Sequence, residues 1–161
     1  MALRIIVRNG INGQLITDCE LMPETLVWQL KEAISSKWRV PSSCQKLLYR
    51  RKVLDNRKEL STLDFEHFFE TRNSADASGS LEVTALVSLD LVLEVLHDSA
   101  QQRAVRLAAM RDLAIVGRKG GEAAIEALIC CHGDPPDPDV KELALEALKR
   151  MRGDECAISV A

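Results

Sequence analysis

The spacing of apolar residues changes once along this chain, at about Ser88, and no single layer architecture accommodates both halves. Before that point, apolar residues recur every second position in short runs, the period of strands with one buried face. After it they recur three and four apart, the period of amphipathic helices. Strands followed by helices predict an α+β chain of two units. The length of 161 residues suits one average domain or two small ones. Charge divides in the same sense. Residues 1–60 hold 11 Lys and Arg against 6 Asp and Glu, a net of +5, and the remainder hold 10 against 18, a net of −8. The mild overall charge of −3 therefore hides a basic front and an acidic back.

Several classes are excluded by what the sequence lacks. No run of about 18 apolar residues is present, so no membrane span is expected. The most apolar stretch, Leu81 to Leu96, is broken by Glu82, Asp90 and Glu94. Residues 1–8 alternate charge with apolar side chains and do not form a signal peptide. Five cysteines (Cys19, Cys44, Cys130, Cys131, Cys156) make an odd count without a framework spacing. Reduced thiols in the cytoplasm or nucleus are the expectation.

In the first half, Leu3, Ile5 and Val7 mark a first strand. Asn9 to Gly13 is dense in turn formers and predicts a hairpin. Leu15, Thr17, Cys19 and Leu21 are expected on one face of the second strand. Pro23-Glu24-Thr25 opens a helix with Thr25 as its N-cap. Leu26, Leu30, Ala33 and Ile34 are its expected buried stripe, with Trp38 near its end. Val40 to Ser43 reads as a loop, Gln45 to Tyr49 as a strand, and Arg50-Arg51-Lys52 as a turn into Val53-Leu54. Leu81, Val83 and Ala85 form the last strand. A helix crossing one face of such a mixed sheet is the β-grasp arrangement.

The segment Val40 to Leu54 (VPSSCQKLLYRRKVL), with Asp55 to Leu60 after it, resembles the corresponding stretch of ubiquitin without a gap. The helix from Thr25 to Ile34 is similar to ubiquitin's with one extra residue, and the resemblance covers roughly residues 1–88. It implies a β-grasp fold and a role in protein recognition, not a particular partner. Ubiquitin presents an apolar patch whose centre corresponds to Leu48. Its partner on the last strand corresponds to Thr84, and its first-hairpin position falls near Gly10 or Ile11. Only part of that patch is retained. Ubiquitin ends in a conjugated Gly-Gly tail, whereas here Leu86-Val87-Ser88 runs on into more chain, so conjugation through this end is not expected. A long loop is expected over 64–80, carrying Phe65, Phe68 and Phe69.

In the second half, four helical stripes are separated by Gly117-Arg118-Lys119-Gly120-Gly121 and by Gly133 to Pro138. They are Leu89, Val92, Leu93 and Leu96; Ala104, Val105, Ala108, Ala109 and Leu113; Ala124, Ile125, Leu128 and Cys131; and Val140, Leu143, Ala144, Ala147, Leu148 and Met151. Asp137 is placed to cap a helix opened by Pro138. A shift of 35 residues lays Val105 on Val140, Arg106 on Lys141, Ala109 on Ala144 and Leu113 on Leu148. This pattern resembles HEAT repeats, and the Gly120-Gly121 opening is similar to the related armadillo repeats. The resemblance implies two helical hairpins over 89–152, with 153–161 as a tail and Gly153 of Arg152-Gly153-Asp154 ending the helix.

No general acid–base pair, phosphate loop or nucleophile elbow is visible, so no enzyme, cofactor or small-molecule substrate is expected. Cys130-Cys131-His132 is the most reactive-looking triplet. Adjacent helical positions point about 100° apart, and no CxxC or HxxxH supplies further metal ligands. His97 and His132 are expected at helix ends, where their charge suits the dipole. Arg50, Arg51, Lys52, Arg57 and Lys58 gather about the hairpin carrying Leu48. The sequence thus points to a non-enzymatic adaptor for protein partners. One expected interface comprises Leu48, Arg50, Arg51 and Lys52. A second comprises Arg103, Arg106, Lys141 and Glu142 on the helical half. The alternatives are an acidic or nucleic-acid partner on the basic cluster, a thiol enzyme using Cys130 or Cys131, and a modifier processed at Gly120-Gly121. The acidic whole chain and its 4% aromatic content argue against nucleic acid.

Overall fold

The computed structural model describes residues 2–63, 80–98, 100–133 and 138–158, with the side chains of 132–133 and 153–158 not described. Phe65, Phe68, Phe69, Asp137 and most of the expected long loop lie outside the described residues. The chain divides into two compact units. One comprises residues 1–38 and 45–86, and the other comprises residues 39–44 and 87–161.

The first unit is a five-stranded mixed sheet in the order β2-β1-β5-β3-β4 with one helix. The elements are β1 (Leu3–Asn9), β2 (Leu15–Leu21), α1 (Val27–Trp38), β3 (Gln45–Tyr49), β4 (Lys52–Val53) and β5 (Ser80–Val87). β1 pairs antiparallel with β2 and parallel with β5. That order, with a helix packed on one face, is the β-grasp arrangement, and the α+β class follows. Leu3, Ile5 and Val7 of β1, Leu81, Val83 and Ala85 of β5, and Leu47 of β3 bury against Val27, Leu30 and Ile34 of α1. Each large aliphatic side chain so buried contributes about 1.5–3 kcal/mol.

Asn9 and Asn12 hold the first hairpin through their side chains. Asn9 Oδ1 accepts from Ile11 N–H at 2.9 Å, and Asn12 Oδ1 accepts from Gln14 N–H at 3.1 Å. The register of β2 differs from strict alternation. Val7 faces Thr17 and Arg8 faces Leu15, so Ile16 is the extra residue of a bulge. The bulge turns Ile16 onto the core and leaves Leu15 56% exposed.

The N-terminus of α1 is also one residue later than the Thr25 cap suggests. The Leu26 carbonyl accepts from Leu30 N–H, which makes Leu26 the cap residue. Gln29 Oε1 reaches back to Leu26 N–H at 2.9 Å, half of a capping box. The Lys58 and Asn56 carbonyls take Val27 N–H and Trp28 N–H at 2.9 and 3.2 Å. All of the orphan donors at this helix end thereby find acceptors. The buried stripe is Val27, Leu30, Lys31 and Ile34, and Ala33 faces solvent.

The second unit holds α2 (Asp90–His97), α3 (Arg103–Val116), α4 (Gly121–Gly133) and α5 (Pro138–Ile158), with a 3-10 turn at Gly117–Gly120. α3 packs against α2 and α5, and α4 packs against α5. The stripes of α2, α4 and α5 are buried or half-buried where their spacing predicts. α3 does not follow its expected stripe. Ala109, Met110, Leu113 and Val116 are buried, while Ala104, Val105 and Ala108 are exposed. Turning the helix this way buries the large Met110 in place of two alanines, which removes more apolar area from water.

Gly153 does not end α5, whose backbone stays helical to Ile158. Glycine costs about 1 kcal/mol in a helix but keeps both its N–H and its carbonyl, so the ladder survives it. The segment 39–44, which reads as a loop of the first unit, belongs with these helices. Ser43 Oγ donates to Asp112 Oδ2 at 2.6 Å, and Ser88 N–H donates to the Cys44 carbonyl at 2.9 Å.

Candidate interaction surface

The solvent face of the sheet is built by alternation. Pairing of β1 with β5 sets Arg4, Ile6 and Arg8 beside Ser80, Glu82 and Thr84 on the side away from α1. Its charges are largely matched. Arg4 Nη2 lies 2.7 Å from Asp18 Oδ2, and Arg8 Nε lies 2.6 Å from Glu82 Oε1. The hydrogen bond from Arg4 holds the Asp18 carboxyl below its ordinary value, and the same bond raises the Arg4 guanidinium. Leu48, on β3, is half-buried, as is Thr84.

Gly10 and Ile11 are now distinguished. A Cβ on Gly10 would stand 2.7 Å from Thr84 Cγ2 and 2.5 Å from Leu86 Cδ2, so a larger residue here would have to push those side-chain ends aside. Gly10 is the residue beside Thr84, and Ile11 projects into solvent.

The β3–β4 hairpin carries the remaining predicted residues of this face. Tyr49 pairs with Lys52 and Leu48 with Val53, leaving Arg50 and Arg51 as a two-residue turn. Both arginines have positive φ, 49° and 69°. This is the backbone of a type I′ turn, which ordinarily calls for Asn-Gly. The Arg50 guanidinium sits over the Tyr49 ring, 5.3 Å from its centroid. Arg50, Arg51 and Lys52 are all exposed, as are Arg57 and Lys58 on the following segment. Among the described residues, no carboxylate lies within ion-pair distance of any of these five cations. The hairpin end therefore contrasts with the matched face beside it.

On the helical unit, the predicted residues divide. Arg103 of α3 pairs with Asp139 of α5, which ties the two helix starts together. Arg106 is half-buried, and its Nε has no hydrogen-bond partner among the described residues. Lys141 and Glu142 are exposed on α5. The 35-residue correspondence holds at Ala109 and Ala144, both buried, and fails at the valines. Val140 is 6% exposed and Val105 is 41% exposed.

Three of the thiols are at least partly buried. Burial pushes the Cys19 and Cys131 thiols up, and that of Cys44 up to about 11. An activated thiol needs the opposite shift. Cys130 is exposed. Among the described residues, no group of three or more His, Cys, Asp and Glu is placed to hold a metal ion. None of their helices is long and apolar enough to cross a membrane.

Residues 5–68 match the family model described as the Ubiquitin family. The N-terminal region is a ubiquitin-like domain. Among solved structures, the chain is similar to Caldiarchaeum subterraneum ubiquitin at 15% identity and a TM-score of 0.40, over 54% of this chain and 94% of that one. No curated protein matches the chain. The ubiquitin-like domain continues from β5 through Ser88 directly into α2. Gly120-Gly121 lies at the junction of the 3-10 turn with α4, where Gly121 has φ 67°.

Sequence reasoning missed two things here. The matched ion pairs of the sheet face needed the register of β1 against β2 and β5, which no local pattern carries. The positive φ at Arg50 and Arg51 was signalled only by the two-residue spacing between β3 and β4.

Proposed function

We propose that this protein is a non-enzymatic adaptor linked to the ubiquitin or proteasome machinery, recognising protein partners through its ubiquitin-like domain. The observation that carries this reading is the hairpin end beside Leu48, where exposed cations stand without carboxylate partners among the described residues. Surface charge is ordinarily neutralised by neighbours, as at Arg4 and Arg8. Cations left unmatched favour encounter with an acidic surface. Leu48, Arg50, Arg51 and Lys52 form the first interface in this reading.

The helical tail is read as a short HEAT/armadillo-like scaffold. The burial of Ala109 and Ala144 at matching repeat positions supports this, since small residues let helices approach closely. Lys141, Glu142 and the outer surface near Arg103 and Arg106 are its recognition residues. The four described cysteines are free thiols, which suits action in the cytoplasm or nucleus.

The test is a cross-linking pull-down comparing wild type with a Leu48→Ala, Arg51→Glu double variant. Selective loss of ubiquitin- and proteasome-associated proteins from the variant is the expected result. Recovery of the same partners by both would remove the sheet face as the recognition surface.

A further inference from the structure

The β3–β4 hairpin and the segment that follows it enclose a cleft on the ubiquitin-like domain, lined by Tyr49, Arg50, Lys52, Val53, Asp55 and Lys58 among others. Its volume is about 300 Å³, the lower end of the range for ligand-sized clefts. Three cations line it against one carboxylate, and Asp55 Oδ1 is already engaged by Arg57 N–H at 2.9 Å. Arg51 and Arg57 stand nearby in sequence and are exposed. The apolar part of the lining includes Val53, which is 60% exposed, together with Leu54 and Leu63.

We propose that this cleft binds an acidic peptide segment carrying one apolar side chain, with carboxylates on Arg50, Lys52 and Lys58 and the apolar group against Val53. The proposal rests on the adaptor reading above and names the chemistry of its partner. Two observations favour a peptide over a nucleic acid. The Tyr49 ring is covered by its own neighbour Arg50, so it is not an open platform for a base. The cations also cluster at one hairpin end and do not track along a groove as a phosphate backbone requires. The three arginines with positive φ are the only non-glycine residues in that conformation among the described residues, and two of them form this tip. Strain retained at a surface turn is a recognised mark of a binding site.

The test uses the full chain and a short fluorescent peptide of Asp and Glu around a single Leu, read by anisotropy. Companion probes replace that Leu by Ser, or are a single-stranded oligonucleotide of equal charge. Wild type is expected to bind the Leu peptide best, with affinity falling about tenfold between low and moderate salt as the charges are screened. A Lys52→Glu, Lys58→Glu variant is expected to bind it at least about tenfold more weakly. A Lys37→Glu, Arg111→Glu variant makes the same change of net charge elsewhere and is expected to bind within about twofold of wild type. Val53→Ser is expected to weaken the Leu peptide and leave the Ser peptide unchanged.

Equal loss in the remote variant would overturn the site. Tighter binding of the oligonucleotide, lost in the Lys52/Lys58 variant, would overturn the peptide. Should circular dichroism show that variant unfolded, Lys58→Gln with Val53→Ser replaces it. The peptide titration reads the cleft and the pull-down reads the adaptor role, so failure of the cleft and failure of the sheet-face reading give different patterns.

Discussion

Lys31 and Gln45 lock α1 to β3 by mutual exchange. Lys31 Nζ donates to the Gln45 carbonyl at 2.5 Å, and Gln45 Nε2 donates to the Lys31 carbonyl at 3.1 Å. Lys31 is only 5% exposed, and burial lowers its pKa. Replacing it by Met leaves the buried carbonyl without its donor, at a cost of about 1–3 kcal/mol. The pH dependence follows from the direction of the shift. A lysine whose folded pKa lies below its unfolded value binds fewer protons when folded, so wild type gains stability as pH rises through the folded pKa toward the unfolded one. Lys31→Met lacks that gain. Urea unfolding at neutral and alkaline pH is therefore expected to show the gap between the two proteins widening as pH rises.

The Arg4–Asp18 pair acts with the same sign in an acidic window. Asp18 has its pKa lowered, first by the hydrogen bond from Arg4. Its contribution is present above the unfolded carboxylate pKa and is lost as pH falls through the folded value. Carboxyl NMR titration is expected to place Asp18 below an ordinary aspartate, and Arg4→Gln to return it upward.

Arg50 and Arg51 occupy a turn that Asn and Gly fill at less cost. An Arg50→Asn, Arg51→Gly variant is expected to be more stable by about 1–2 kcal/mol, since each side chain held in a sparsely populated region costs roughly 1 kcal/mol or more. Thermal melting measures this. A fall in Tm would show that the arginines contribute stabilising contacts of their own.

The face that α3 buries can be read by truncation. Met110→Ala removes a fully buried side chain and is expected to cost about 2–5 kcal/mol. Val105→Ala is expected to stay within about 0.5 kcal/mol, as at other surface sites. The reverse order in chemical denaturation would restore the stripe suggested by spacing.

Thiol labelling orders the four described cysteines. Cys130 is exposed and is expected to react first with iodoacetamide, while Cys44, buried and with its pKa pushed up to about 11, reacts only on unfolding. Mass spectrometry of timed samples shows the order.

What was legible in the sequence is what local spacing determines. The alternation of Leu3, Ile5 and Val7, the stripes of α2, α4 and α5, and the two-unit change of period all appear in the structure. What was not legible depends on partners distant along the chain. Ile16 displaces Leu15 because a bulge shifts β2 against β1. Leu26 replaces Thr25 as the cap because Gln29 and the 55–59 segment supply the acceptors. The membership of residues 39–44 in the helical unit depends on Ser43 meeting Asp112, 69 positions away. Of the candidate interface, the clustering of cations about the β3–β4 hairpin was legible. Which cations are matched and which are not required the sheet register.

The passage of β5 into α2 without a chain end has a consequence for dosage. A ubiquitin-like domain that is released and conjugated has its own abundance and lifetime. Here the domain is translated together with the helices, at a fixed ratio of one to one. Whatever each unit binds is held near the other at an effective concentration set by the connecting backbone, independent of how much protein the cell makes.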